Sequence, residues 1–238
     1  MQDIYKKIIK NPTVDEVFYN YFTKYISAYL TKIIFKTNLT PNFISWIMLL
    51  CGLCAVYFLS LDDSISILVS GILFIIHNIL DTLDGDLARI RSQTSKMGKF
   101  IDQITHAVVN PSIFFALYFR FSEYSDYSIF FIICGFAFLA DMYLKKNFEI
   151  LTNNKYSFSI SKSKKKTNKI FKLKFLKIIN DIFFSVIGFF HILILVFFVE
   201  LFISNFISTI YLILFAAIVP IKFIIRLFIM LRILSLQK

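Results

Sequence analysis

Hydrophobic residues occur along the chain in long runs, and polar residues collect in the segments between those runs. A helix needs about 20 mainly apolar residues to cross a bilayer. By this measure the sequence predicts six membrane-spanning helices, near residues 41–61, 64–82, 99–120, 127–144, 180–199 and 206–230. The last two come from one long apolar stretch, which we divide around residues 200–205. The pattern therefore predicts an all-α integral membrane protein.

The composition supports this interpretation. Hydrophobic residues make up 58% of the 238 residues, and the mean hydropathy is +0.72. A soluble domain of this size cannot hide so much apolar surface from water. The net charge of +11 comes mainly from lysines outside the apolar runs, which suits a surface facing anionic lipid head groups. Nucleic-acid binding is a poor alternative for so apolar a chain, so membrane lipids are the expected surroundings.

The distribution of basic residues predicts the orientation in the membrane. If the N-terminus is cytoplasmic, twenty-five of the 26 Lys and Arg residues fall on the inside, and Arg120 falls outside. Such an excess of Lys and Arg is typical of cytoplasmic loops. We therefore expect a multi-pass protein of the cell (inner) membrane with both termini in the cytoplasm. The lysine-rich segment 145–178 is expected to be a flexible cytoplasmic loop.

Residues 1–40 precede the first predicted span and have a different pattern. Apolar residues recur there at helical spacing with lysines nearby, as in a helix that lies at a membrane surface. These apolar residues are Val17, Phe18, Tyr21, Phe22, Tyr25 and Ile26. The sequence thus predicts an N-terminal interfacial amphipathic helix within 1–40 and a six-span membrane domain over 41–238.

One stretch interrupts the apolar pattern with ionisable residues, where the second predicted span ends and the third begins. An ionisable group costs about 2.5–3.5 kcal/mol near the bilayer centre and less near its surface. Asp81 and Asp84 stand at i, i+3 on one helix, and Asp102 and His106 stand at i, i+4 on the next. Because a short turn joins the two helices, we expect these four groups to converge at the cytoplasmic membrane surface.

Carboxylates clustered in this way repel one another unless a cation lies between them. Mg²⁺ and Mn²⁺ prefer oxygen ligands and commonly share them with substrate phosphates. Gly85 leaves room for a substrate to approach the backbone, Ala88 keeps the next turn narrow, and Arg89 offers a planar fork for a phosphate. Together these features indicate metal-assisted phosphoryl transfer at a membrane surface.

The same residues form a spaced motif, D-x2-D-G-x2-A-R-x8-G-x3-D-x3-H, over residues 81–106. This motif resembles the signature of the CDP-alcohol phosphotransferase (CDP-alcohol phosphatidyltransferase) family, which ends in a fourth Asp where this chain has His106. Seven of the eight specified positions match, and every gap is correct. The six predicted spans agree with the family's fold. The resemblance implies an enzyme that moves a phosphate-linked alcohol from a CDP-alcohol to an acceptor hydroxyl and releases CMP.

The resemblance also implies a role for each position of the motif. Asp81, Asp84 and Asp102 would hold one or two Mg²⁺ or Mn²⁺ ions against the diphosphate of the donor. Gly98 would allow the second and third spans to pack closely. The implied CDP-binding residues are Asp81, Asp84, Gly85, Ala88, Arg89 and Gly98. The acceptor would be a lipid or a small polyol phosphate, and the formation of a homodimer is left open.

His106 occupies the position at which the family's last Asp binds the second metal and deprotonates the acceptor. Three interpretations remain open. His106 is a working base and metal ligand with an altered second metal site, since a neutral imidazole accepts protons near pH 7. Alternatively, the chain is a catalytically weak or inactive membrane scaffold derived from such an enzyme. In the third interpretation His106 is structural, and another group takes the proton.

Four basic residues are candidates for binding an acceptor phosphate: Arg91, Lys99, Lys222 and Arg226. The alternative for the pair on the last span is that their side chains extend to the inner membrane surface without a ligand.

Two further polar residues lie beside the motif. His77, one turn before Asp81, is expected to be a hydrogen-bonded interior histidine, with contact to the metal ligands as the alternative. Asp86 stands at a variable position of the motif and is expected to face solvent or a basic neighbour.

Overall fold

The computed structural model describes residues 18–123, 125–151 and 207–235, together with positions 192, 194 and 196. This part of the chain contains six long helices and no strand. They are α1 (Phe18–Ile34), α2 (Pro41–Ser60), α3 (Ser64–Ile90), α4 (Lys96–Arg120), α5 (Ser125–Leu151) and α6 (Ile207–Ser235). The all-helical prediction is confirmed for these residues.

Among the described residues, four stretches of helix are long and apolar enough to cross a membrane. They are Pro41–Ser60 in α2, Ile65–Ile90 in α3, Ser128–Phe148 in α5 and Thr209–Arg232 in α6. These correspond to the first, second, fourth and sixth predicted spans. The third predicted span, 99–120, forms a continuous helix, α4, but its charged and polar residues lower its hydropathy, and it is not one of the four. Six spans therefore stay a prediction.

Two sequence predictions fall largely outside the described residues. Most of the fifth predicted span, 180–199, is not described. The predicted loop 145–178 is described only up to residue 151, and there the chain is still helical because α5 continues to Leu151. The prediction of a loop was wrong for these first residues.

Local signals in the sequence explain where the helices begin. Thr40 caps α2 by accepting a hydrogen bond from the Phe43 N–H at 3.2 Å, and Pro41 stands in the first turn. Ser95 caps α4 by accepting from the Gly98 N–H at 2.9 Å. These caps satisfy backbone donors that a helix start otherwise leaves without partners.

α3 is two turns longer than the predicted span 64–82. Its polar end, from Asp81 to Arg89, stays helical up to Ile90. The turn that follows contains Ser92 with a φ of 55°, in the left-handed region. α4 then starts within a few residues, so the chain reverses direction immediately after the polar end of α3.

In the part of the chain that the structure describes, the helices pack around two apolar clusters. α3 contacts α1 and α2, α4 contacts α2 and α5, and α5 contacts α6. The larger cluster contains side chains from each of the helices α2, α3, α4, α5 and α6. Its members include Phe74, Val109, Phe114, Phe131 and Phe215. A smaller cluster joins α1, α2 and the polar end of α3 through Leu30, Ile34, Ile44, Leu83 and Leu87. This second cluster fixes α1 beside the signature residues.

Of the apolar residues predicted for the N-terminal helix, only Tyr25 and Ile26 have described side chains, so most of that face lies outside the described residues. The described part of α1 packs a different set of residues against the protein. Small and hydroxyl-bearing side chains are buried, whereas Tyr25 and Tyr29 are exposed. The buried residues are Thr23, Ser27, Ala28 and Thr31. α1 therefore uses its small residues to pack against the rest of the protein, and its exposed tyrosines are available to a membrane surface.

Many large apolar side chains on the other helices are also exposed. The most exposed include Leu50, Tyr57, Ile65, Phe119 and Phe136. Exposure of so many large apolar side chains is costly in water and favourable in lipid. The outer surface thus agrees with a protein embedded in a membrane.

Candidate functional site

The chain reversal between α3 and α4 brings three signature side chains together. Asp81 comes from α3, and Asp102 and His106 come from the first turns of α4. One ligand atom from each lies within 4.8 Å of those from the other two. The His106 Nε2 is 3.4 Å from an Asp81 oxygen and 3.3 Å from an Asp102 oxygen. We call these three residues the carboxylate–histidine cluster.

The carboxylate–histidine cluster is partly open to its surroundings. The side chains of Asp81, Asp102 and His106 are 31%, 41% and 33% exposed. Two carboxylates this close repel each other, and one imidazole nitrogen facing both is a single compensating group. Two carboxylate oxygens and one imidazole nitrogen form a donor set that suits a divalent cation such as Mn²⁺. The residues present therefore fit the metal that the sequence predicted.

His77 supports the cluster from inside the protein. Its Nδ1 lies 2.9 Å from the Met48 carbonyl oxygen, and its ring meets the His106 ring edge to face at 6.1 Å. The prediction of a hydrogen-bonded interior histidine is confirmed, and the ring also contacts one member of the cluster.

A cavity of about 280 Å³ lies next to the cluster. It is bounded by the start of α2, the end of α3, the turn after it and the start of α4. Its lining contains Asp102 of the cluster and five of the other signature residues: Asp84, Gly85, Ala88, Arg89 and Gly98. The structure thus brings most of the predicted CDP-binding residues to one cavity, while Asp81 lies in the cluster beside it.

Asp84 is held differently from the other carboxylates. It is buried, and it accepts a hydrogen bond from the Ser45 hydroxyl of α2. It lines the cavity with Asp102 but is not a member of the carboxylate–histidine cluster. The predicted convergence of four ligands therefore applies to three of them in this structure, because Ser45 engages the fourth.

The guanidinium of Arg89 lines the cavity and lies against Gly85. A Cβ atom at Gly85 would meet both terminal nitrogens of Arg89 at 3.3 Å. The sequence predicted that the space over Gly85 is left for substrate. In the structure the Arg89 side chain uses this space, so the missing side chain at Gly85 determines where the cation lies.

Asp86 is a buried residue beside the cavity, and the sequence analysis gave it no role in the site. It is only 5% exposed, and it accepts hydrogen bonds from Arg89 at 2.7 Å and from Ser27 of α1 at 2.9 Å. Of the two expected surroundings, solvent or a basic neighbour, the basic neighbour is confirmed, and α1 covers this side of α3. The i, i+3 spacing of Asp86 and Arg89 was a signal for their contact.

Gly98 also has a different neighbour from the predicted one. A Cβ atom there would lie 3.1 Å from the Asn42 side-chain oxygen, at the start of α2. Gly98 therefore allows α4 to approach the first span at this point, where the sequence analysis expected the second.

The four candidate acceptor-phosphate residues are not gathered at one place. Lys99 lines the cavity, and Lys222 is half-buried on α6. Arg226 pairs with Asp141 of α5. The Arg91 side chain donates to the backbone carbonyls of the segment after α1. These acceptors are Ile34, Phe35, Thr37 and Leu39. Arg91 thus holds the α1–α2 connection, and its bonds leave it poorly placed to bind an acceptor.

Comparison with known proteins agrees with the motif. The chain is 35% identical over 75 residues to a bifunctional IPC transferase and DIPP synthase of Thermococcus kodakarensis. This matched stretch covers 32% of this chain and 16% of that protein. The chain is also 34% identical over 86 residues to an archaetidylinositol phosphate synthase of Pyrococcus horikoshii. Here the matched stretch covers 36% of this chain and 44% of that protein. The matched region therefore spans less than half of either relative.

A family model covers a larger part of the chain. The model described as CDP-alcohol phosphatidyltransferase matches residues 38–196, about two thirds of the 238 residues. The matched range includes α2 to α5 and every signature residue. This chain belongs to the CDP-alcohol phosphatidyltransferase family.

Proposed function

We propose that this protein is an integral-membrane transferase that moves a phosphate-linked alcohol from a CDP-alcohol to an acceptor hydroxyl and releases CMP. The observation that carries the proposal is the cavity, whose lining contains six of the eight signature residues directly beside the carboxylate–histidine cluster. Family membership supports the same reaction class.

The carboxylate–histidine cluster is the proposed holder of a divalent cation, Mg²⁺ or Mn²⁺. Asp81, Asp102 and His106 supply the ligand atoms described above. Asp84 lies close enough for the negative charges of Asp81 and Asp102 to act on it, and it would join the set if it exchanged its bond to Ser45. Bound to these groups, the cation supplies positive charge that offsets the charge of a diphosphate.

The remaining residues of the cavity bind and orient the donor. Arg89 presents a guanidinium to the cavity, and guanidinium groups bind phosphate oxygens with paired hydrogen bonds. Lys99 contributes a second cation to the lining. Ala88 carries only a methyl group, which leaves room for the nucleotide. These groups hold the diphosphate in place so that an acceptor hydroxyl attacks one phosphorus atom and CMP leaves.

His106 has one nitrogen in the cluster, and this limits what it can do. Its Nε2 faces Asp81 and Asp102, so this atom either carries a proton that bonds to the carboxylates or uses its lone pair on the cation. Neither state leaves Nε2 free to accept a proton from the acceptor hydroxyl. We propose that His106 acts first as a ligand, and that a proton accepted during the reaction goes to its Nδ1 or to Asp102.

The membrane orientation and the acceptor belong to the same proposal. The excess of basic residues in the inner segments supports cytoplasmic termini and a cytoplasmic active site. The acceptor is a lipid or a small polyol phosphate. The name of the Pyrococcus relative, an archaetidylinositol phosphate synthase, favours a phosphorylated polyol as the first acceptor to test.

The test is an assay of CMP release by the purified protein. A panel of CDP-alcohols is supplied with lipid and polyol phosphate acceptors, with Mg²⁺, with Mn²⁺ or with a chelator. We expect CMP release that requires both an acceptor and a divalent cation. A folded protein that releases no CMP with any donor favours instead the inactive scaffold, for which the replacement of the last signature Asp by His106 is the specific observation.

A further inference from the structure

The position of the Arg89 guanidinium in the cavity depends on neighbouring residues. Its side chain is long, flexible and 50% exposed, so its position depends on the contacts that hold it. Holding such a chain in one rotamer costs conformational entropy. A cation that binds a diphosphate works best when that cost has been met before the substrate arrives.

Two contacts hold the Arg89 guanidinium. On one side, Gly85 offers a surface without a side chain, and the guanidinium lies against it. On the other side, Asp86 accepts a hydrogen bond from Arg89 Nη2 at 2.7 Å. Asp86 does not line the cavity, and its hydrogen bond to Arg89 is the contact through which it can orient a group there.

Asp86 is in turn held by a different helix. Its second carboxylate oxygen accepts a hydrogen bond from the Ser27 hydroxyl of α1 at 2.9 Å. Ser27 is fully buried, and the hydroxyl is the polar group that α1 brings to this carboxylate. A carboxylate shared between a hydroxyl and a guanidinium has its orientation fixed by both bonds. The chain of contacts therefore runs from α1 through Asp86 to the cavity.

We propose that Ser27 and Asp86 are positioning residues that hold the Arg89 guanidinium over Gly85 for the diphosphate of the donor. The proposal rests on the proposed function, because the ligand of Arg89 is the CDP moiety. It gives α1 a part in substrate binding in addition to its contact with the membrane. Ser27 of α1 bonds to Asp86, and Asp86 bonds to Arg89, so α1 helps to orient a cavity residue without contacting the ligand.

The test compares CDP affinity and steady-state kinetics in a double-mutant cycle. Asp86→Asn removes the charge and keeps the shape, and we expect CDP affinity to fall about ten-fold and the donor KM to rise by a similar factor, with a smaller change in kcat. In an Arg89→Ala background the same Asp86→Asn change should have no further effect, since the residue acts through Arg89. Ser27→Ala should lower CDP affinity in the same direction by a smaller factor.

The matched control is Thr31→Val on the same buried face of α1. The Thr31 hydroxyl is fully buried and has no hydrogen-bond partner among the described residues, so its removal should leave CDP affinity unchanged. If Thr31→Val weakens CDP binding as much as Ser27→Ala does, both changes act through the packing of α1, and the positioning proposal is overturned. Melting temperatures of all variants show which ones fold.

The outcomes separate this proposal from the proposed function. Equal losses of CDP affinity from Asp86→Asn in the wild-type and Arg89→Ala backgrounds overturn the positioning role and leave the transferase activity intact. A wild-type protein that binds CDP but releases no CMP contradicts the transferase proposal, while the affinity cycle still decides the role of Asp86. A wild-type protein that binds no CDP overturns both.

Discussion

The two ends of α3 each carry a cluster of charged side chains, and the clusters are satisfied in different ways. At the start of α3, Arg120 is only 6% exposed and donates to the backbone carbonyls of Leu59, Leu61 and Asp63. At the other end, Asp81 and Asp102 face one nitrogen of His106, and all three remain about a third exposed. The charge of Arg120 is satisfied within the protein, whereas the second cluster has two carboxylates facing one imidazole nitrogen.

We propose that this difference separates a structural cluster from a functional one. Buried charges are tolerated where hydrogen bonds satisfy them, and Arg120 meets this condition with carbonyls at the end of α2 and in the α2–α3 connection. Carboxylates that repel each other raise the energy of the protein until a cation binds. Changes at the start of α3 should therefore affect stability, and changes at its end should affect activity.

The largest effect is expected from Asp102→Asn. The amide keeps the size of the side chain but removes a negative charge from the carboxylate–histidine cluster, so CMP release should be abolished while the melting temperature in detergent stays close to that of the wild type. Asp62→Asn, at the other end of α3 and mostly exposed, is the matched control and should keep full activity. Retention of a tenth of wild-type turnover by Asp102→Asn would remove the basis of the metal site.

The next effect concerns His106. His106→Ala should lower kcat about 10²–10⁴-fold, the range for loss of a proton-transferring or ligating group. His106→Asp restores a hard oxygen ligand, so it should keep activity and shift the preference from Mn²⁺ toward Mg²⁺. Rates measured at matched concentrations of the two ions check this. Full activity of His106→Ala with both ions would make the residue structural.

Arg120→Met should act on stability alone. The replacement leaves the carbonyls of Leu59 and Leu61 without their donor, which costs about 1–3 kcal/mol for a buried unpaired polar group. Thermal unfolding in detergent should show the loss, and kcat per folded molecule should stay unchanged. A variant that melts like the wild type but loses activity would contradict the division between the two ends of α3.

The smallest effect is expected at Asp63, which caps the start of α3 and lies beside Arg120. The Ser66 hydroxyl and, to a smaller extent, its backbone N–H hold the pKa of Asp63 below the usual aspartate value. A lowered pKa means that the cap stabilises the folded state fully above the ordinary value of about 3.9 and loses this contribution as the pH falls below it. Asp63→Ala should lower the melting temperature slightly at pH 7, and its difference from the wild type should shrink below pH 4.

The sequence predicted the helices well because their signal is local. The apolar runs at 41–61 and 206–230 reappear as α2 and α6 within a few residues. The end of α3 was placed too early, since hydropathy falls at Asp81 while the helix continues to Ile90. Hydropathy reports the lipid-facing length of a helix, whereas hydrogen bonds and packing set the point where it ends.

The site was predictable only as far as one helix or one turn determines it. The cluster of Asp81, Asp102 and His106 follows from helical spacing and a short reversal. The bonds of Ser45 to Asp84 and of Ser27 to Asp86 join residues far apart in sequence, and helical spacing on one helix carries no information about them. Only the packing of α1 and α2 against α3 shows these contacts.

Binding of Mn²⁺ tests most directly whether the cluster at the end of α3 is completed by a cation. Titration of the purified wild-type protein, followed by the electron paramagnetic resonance signal of free Mn²⁺, should show saturable binding that Mg²⁺ displaces. The same titration of Asp102→Asn should show this binding lost, and that of Arg120→Met should show it retained. Equal binding by the wild type and Asp102→Asn, or no saturable binding by the folded wild type, would contradict the account.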